Sequence, residues 1–117
     1  MANAQKWRMY DEPIEGGKSA ILYYQVLGTI NERSLLAVRP ITGRTHQIRA
    51  QMAYKGHPVV GDKKYGKTEW LNDFSLCLFS HRIQFEHPIT KAPVQVTAPA
   101  PFHRDVWSQF KDVDIVI

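Results

Sequence analysis

Two pairs of helix-breaking residues, Pro40 with Gly43 and Gly56 with Pro58, leave one well-bounded helical segment between them, about Thr45–Lys55. Proline blocks a continuing helix, whereas glycine takes the left-handed conformation that closes a last turn. The end of the segment is marked better than its start. Gly56 suits the position after the last turn, Lys55 complements the negative end of the helix dipole, and Pro58 prevents continuation. Thr42 or Thr45 is available to cap the first amides. Three- and four-residue spacing places His46, Arg49, Ala50 and Ala53 on one face and leaves Ile48 and Met52 to pack on the other.

The flanks read mainly as strands. Ser19–Leu27 is rich in Ile, Leu, Tyr and Val, and a turn around Gly28–Glu32 leads to a second strand, Ser34–Arg39. So short a connection predicts an antiparallel hairpin. Residues 1–18 are polar, contain Pro13 and Gly16-Gly17, and read as an irregular arm or linker. Beyond the helix, Gly61–Gly66 is a polar turn segment and Thr68–Asp73 a candidate short helix. Two further strands, about Leu76–Glu86 and Val94–Ala98, flank a loop from His87 to Pro93. Pro99 and Pro101 lead into a last helix near His103–Phe110 that packs through Val106, Trp107 and Phe110. The expected architecture is α+β, a mostly antiparallel sheet with flanking helices, with residues 19–117 as its single unit. At 117 residues there is room for one small core.

Charge narrows the partners. The net charge is +4, and the cations cluster: Arg39, Arg44, His46 and Arg49 in one short stretch, Lys55, Lys63, Lys64 and Lys67 soon after. Such a ridge neutralises nucleic-acid phosphates and releases their counterions. Cys77 is the only cysteine, so an intrachain disulfide and a thiolate metal cluster are both excluded, and it reads as a buried, inert thiol. His57 and His87 precede prolines in separate loops without ligand-spaced companions, which argues against a metal. No apolar run is long enough to span a bilayer, and the start lacks the apolar core of a secretory signal, so no membrane partner and a cytoplasmic location are expected.

The segment Thr42-Gly43-Arg44-Thr45-His46-Gln47-Ile48-Arg49 carries the function. It resembles the TGRTHQIR signature of RluA-type RNA pseudouridine synthases. Further landmarks follow in family order. Gly56-His57-Pro58-Val59-Val60-Gly61-Asp62 with Tyr65-Gly66 is similar to the family's GHP-hydrophobic-GD-YG block, and Phe85-Glu86-His87-Pro88-Ile89-Thr90 to its FEHP(V/I)T strand end. Ala98-Pro99-Ala100-Pro101 resembles the closing proline segment, and Gly17-Lys18-Ser19-Ala20 to Tyr24 the strand that opens the C-terminal portion. The resemblance covers nearly the whole chain and implies the C-terminal half of a pseudouridine synthase fold. It further implies isomerisation of uridine in ribosomal or transfer RNA without cofactor or metal. In that reaction the bond from C1′ to N1 is cut, the uracil turns and it rejoins through C5, after the base has left its stack.

By resemblance Arg49 is the active-site arginine. Its guanidinium can meet a carboxylate or phosphate bidentately, as lysine cannot. On charge alone it reads as a solvated surface arginine, and the motif decides between the two. Arg44, in the loop before the helix where the amides and dipole favour an anion, is expected to contact an RNA phosphate. His46 either does the same or holds the loop by a hydrogen bond, and Gln47 is expected to have a structural hydrogen-bonding role. Lys63 and Lys64 are candidates for phosphate contact against the commoner reading of a solvated lysine pair. Asp62, between Gly61 and Tyr65-Gly66, reads as a turn residue, and Tyr24 and Tyr65 as core or sheet residues.

Two family motifs are missing: the HRLD(x)xTSG segment with the nucleophilic aspartate and the KxY segment with the active-site tyrosine occur nowhere in the chain. Leu22 and Phe79 also stand where the family often has threonine and histidine. The expectation is a C-terminal half that is inactive alone, exposes a strand edge and apolar surface, and either self-associates or pairs with the missing N-terminal half. The alternative is a stand-alone, non-catalytic RNA-binding protein. A protein-interaction module unrelated to RNA would require several ordered motifs to match by accident.

Overall fold

The computed structural model describes residues 7–14, 16–66, 76–104 and 106–115. Its elements are β1 (Arg8–Tyr10), β2 (Leu22–Ile30), β3 (Arg33–Pro40), α1 (Gln47–Tyr54), β4 (Arg82–Glu86), β5 (Pro93–Thr97) and a 3-10 helix (Trp107–Phe110). The first three strands form an antiparallel sheet in the order β1-β2-β3, and β4 and β5 form a separate antiparallel ribbon. The class is α+β, as the sequence suggests.

The hairpin turns at Asn31-Glu32, not over Gly28–Glu32. Both residues have positive φ, 51° and 66°, the conformation of a two-residue turn whose twist suits the strands it joins. Ile30 pairs with Arg33 across it. Gly28 lies within β2, where the register shifts between Val26 and Gly28. Its missing side chain admits the C-terminal segment: a Cβ there would stand 3.1 Å from Val113 Cγ2. The glycine thus marks a close approach of two segments rather than a turn.

Residues 1–18 are not wholly irregular. β1 pairs with β2, with Tyr10 opposite Leu22, and Ile14 bridges Lys18 around Gly16 and Gly17, whose φ values are 88° and 73°. A strand of three residues carries no readable alternation; β2 supplies its partner.

Neither threonine caps α1. His46 occupies the N-cap in a left-handed conformation, φ 53°, without a side-chain cap. Thr42 Oγ1 instead accepts a hydrogen bond from the Ile21 amide at 2.9 Å and donates one to Gln47 Oε1 at 2.7 Å. The loop is therefore tied to the sheet. The far end is as expected: Gly56 has φ 91°, His57 N donates to Met52 O at 2.9 Å, and Gly56 N to Ala53 O at 3.0 Å. This pair of bonds satisfies two of the last carbonyls. Lys55 places its ammonium 5.3 Å from the Tyr24 ring centroid and 5.6 Å from that of Tyr10.

One core patch is Leu22, Tyr24 and Met52, flanked by Tyr10, Leu36, Val38, Ile48 and Val59. A second is Ile14, Ala20 and Ala50. Between helix and sheet lies Gln51, fully buried, whose Nε2 donates to Ala20 O at 2.9 Å and Glu12 O at 3.0 Å.

The candidate helix Thr68–Asp73 lies outside the described residues. β4 starts at Arg82 rather than near Leu76, and the last helix shrinks to a single 3-10 turn. That turn meets the hairpin through Arg33, whose Nη1 donates to Gln109 Oε1 at 3.4 Å, and Phe79 through Trp107, edge to face at 6.4 Å. On the ribbon, Ile83 pairs with Val96 and Phe85 with Val94, so all four side chains share one face. Three of them stand open to solvent: Ile83 55%, Phe85 47% and Val96 52% exposed. No helix of the described residues is long and apolar enough to cross a membrane.

Gln51→Leu keeps the volume but leaves the buried Ala20 carbonyl without its donor. Urea unfolding is expected to show a loss of about 2 kcal/mol, against less than about 0.5 for Tyr54→Leu on the exposed face of α1. Equal effects at the two positions would deny Gln51 this structural role.

Candidate functional site

The reverse turn after α1 carries the chain back along the helix and sets Asp62 beside Arg49. Arg49 Nε donates to Asp62 Oδ2 at 3.0 Å and Nη2 to Oδ1 at 2.8 Å, a two-point ion pair. The carboxylate is further held by its own turn: Oδ1 accepts the Lys64 and Tyr65 amides, each at 3.0 Å. Gly61 enters the turn with φ 85°, and Gly66 closes it so tightly that a Cβ there would lie 2.8 Å from Asp62 O. Asp62 is 2% exposed.

These contacts set the charge states. The Arg49 hydrogen bond, helped by the two amides and opposed by burial, holds the Asp62 carboxyl down at about 2. The same bond raises Arg49 above its usual range. Both groups are therefore ionised at neutral pH. The pair uses one edge of the guanidinium; Nη1 has no hydrogen-bond partner among the described residues. The carbon at its centre lies 5.4 Å from the Tyr65 ring centroid.

Arg44, His46 and Lys64 line a common cavity of about 400 Å³, together with Lys18, Tyr54 and Tyr65. Lys63 does not line it. Arg44 is pinned by a 2.8 Å bond from Nε to Ser19 O. The His46 ring meets Tyr65 edge on at 6.0 Å, its Nδ1 3.5 Å from the phenol oxygen. Gln47 is the hub of the loop: Nε2 donates to Ile21 O at 3.0 Å while Oε1 accepts from Thr42 and from the Arg44 amide. His87, by contrast, serves its own turn, with Nδ1 accepting the Ile89 and Thr90 amides. Among the described residues no group of three His, Cys, Asp or Glu side chains is placed to hold a metal.

Sequence reasoning singled out Arg49 and treated Asp62 as part of a turn; the structure joins the two. It missed Lys18 and Tyr65 as neighbours of Arg44. No periodicity links these residues, because only the reverse turn and the sheet bring them together.

Comparison with known proteins gives this geometry a context. The family model for RNA pseudouridylate synthase matches residues 2–54. A ribosomal large subunit pseudouridine synthase D of Vibrio cholerae is 39% identical over 98 residues, covering 73% of this chain and 30% of that protein. A dual-specificity RNA pseudouridine synthase RluA of Pasteurella multocida is 40% identical over 91 residues, covering 75% of this chain and 41% of that protein. Among solved structures, human RNA Pseudouridylate Synthase Domain Containing 1 superposes with a TM-score of 0.66 at 26% identity, covering 86% of this chain and 51% of that one. The chain thus spans well under half the length of these two bacterial relatives.

Because the Asp62 carboxyl is depressed in the folded protein, its contribution is complete above the unfolded value near pH 4 and is lost as pH falls towards 2. Asp62→Asn should cost about 2 kcal/mol at pH 7 and remove that part of the stability change between pH 4 and 2. Urea midpoints measured across this range check it. An unchanged acid slope in the variant would mean that the pair does not stabilise the fold.

Proposed function

This chain belongs to the RluA-type pseudouridine synthase family, and we propose that it forms the arginine-bearing part of a synthase that converts uridine to pseudouridine in RNA. The observation that carries the proposal is the divided guanidinium of Arg49. Asp62 fixes one edge and so sets the direction of the other, which is left for a second carboxylate or a nucleotide. An arginine meant only for solvent contact needs no such buried anchor.

In this reading the second carboxylate is the catalytic aspartate, supplied from outside the 117 residues of this chain by an N-terminal half, in the same polypeptide or a separate one. Uridine isomerisation breaks the bond from C1′ to N1, forms one from C1′ to C5, releases the C5 proton and leaves a proton on N1. Arg49 holds the aspartate in register with the nucleotide, and Arg44, His46, Lys63 and Lys64 hold the RNA backbone. Phosphate contacts of this kind place the strand, and the splayed base is read separately. The N-terminal half docks on the apolar face of the ribbon, Ile83, Phe85, Val94 and Val96. Support for that pairing comes from the exposure of the stripe and from the solved relative, of which this chain matches 51%.

Release of tritium from C5-labelled uridine in bulk cellular RNA reads the reaction directly. The chain alone should release none, and mixing it with the N-terminal half of an RluA-type synthase should restore release. Arg49→Lys in the mixture should lower the rate by at least about 100-fold, in line with loss of a preorganised hydrogen-bond donor at a reacting centre while the charge is kept. Release by the unmixed chain would place the catalytic carboxylate within it and overturn the two-part reading.

A further inference from the structure

We propose that the cavity beside the Arg49–Asp62 pair is a phosphate subsite that takes a phosphodiester of the strand whose uridine lies at Arg49; this rests on the RNA substrate proposed above. The lining residues are the first argument. Lys18, Arg44, His46 and Lys64 face one space of about 400 Å³, and no aspartate or glutamate is among the described residues that line it. A volume of that size accepts a nucleotide-sized group.

The cations come from three separate places in the chain. Lys18 follows the Gly16-Gly17 turn before β2, Arg44 and His46 belong to the loop before α1, and Lys64 lies in the turn after it. A solvated charge run would be local in sequence, whereas this convergence is made by tertiary structure. It brings like charges together, which is unfavourable unless an anion joins them.

Their bonding points the same way. Arg44 spends Nε on Ser19 O, and its terminal nitrogens have no partner among the described residues. Neither the Lys18 nor the Lys64 ammonium has a carboxylate partner among them. Lys64 lies instead over the Tyr65 ring, 5.3 Å from the centroid, with Arg49 5.4 Å from the same ring. One aromatic ring thus adjoins both the cavity and the Arg49 site, so a strand placed at Arg49 runs past the cavity. Tyr54 and Tyr65 give the lining apolar surface for the sugar that accompanies the phosphate.

The test is the salt dependence of binding to a labelled single-stranded oligouridylate, read by fluorescence anisotropy over a range of KCl concentrations with the whole chain. Each cation on a single-stranded phosphate contributes roughly 0.7 to the slope of log affinity against log salt. Lys18→Gln with Lys64→Gln should reduce that slope by about 1.4. Lys91→Gln with Lys111→Gln, which removes the same charge away from the cavity, should leave it unchanged. Circular dichroism confirms that each variant is folded. Equal slopes for the two double variants would overturn the subsite while leaving the RNA reading intact. Failure of the unsubstituted chain to bind the oligouridylate at any salt concentration would overturn that reading and the subsite together.

Discussion

Two glutamines, rather than an apolar stripe, decide where α1 sits. Gln47 and Gln51 are both buried, and their amides donate to the Ile21, Ala20 and Glu12 carbonyls. These carbonyls lie just before β2 and in the arm behind β1; the Ile21 carbonyl also accepts the Ile41 amide at 2.9 Å, whereas the glutamine amide is the donor to Ala20 and Glu12. A buried carbonyl without a donor is costly, so the helix is held wherever its amides can reach both. The apolar contribution is modest by comparison: Ala50 and Met52 are the buried hydrophobic residues of the helix. Hydrogen bonds have direction, and they fix the rotation of α1 about its axis as well as its position. That rotation aims Arg49 at the turn that follows.

The ion pair built on this rotation is better understood as a positioning device than as a source of stability. Desolvating two charges offsets much of their mutual attraction, and well-packed apolar residues of similar size often do as well. The pair supplies geometry: two parallel bonds, two further amides on the same carboxylate, and a guanidinium with one edge already spent. In the proposed role such an edge is what the site requires, because a misplacement of about 1 Å at a reacting centre can cost about 100-fold in rate.

Legibility from sequence divides along physical lines. The end of α1 was readable because glycine and proline act locally, and Gly56 does what its chemistry dictates. Arg49, Arg44 and Gln47 stood out through their motif. The cap of α1 was not readable because Thr42 bonds instead to the Ile21 amide, a residue distant in sequence. Gly28 was misassigned because its role depends on Val113, and β1 went unseen because three residues hold no period. Asp62 sits 13 residues from Arg49. That spacing has no meaning until the chain reverses, so sequence reasoning found the turn and not the bond.

The charge balance around Tyr65 ties these features together. Arg49 and Lys64 both approach this ring, and Arg44, His46 and Lys18 lie across the same cavity. A guanidinium among so many cations would swing away into solvent if nothing opposed their repulsion. Asp62 opposes it, and being buried and bound by four donors it cannot itself turn towards the cavity. The carboxylate therefore cancels the charge of Arg49 alone and leaves the cavity positive. In the proposed role, one acidic residue keeps the arginine in place for chemistry while the surrounding field draws in a polyanion.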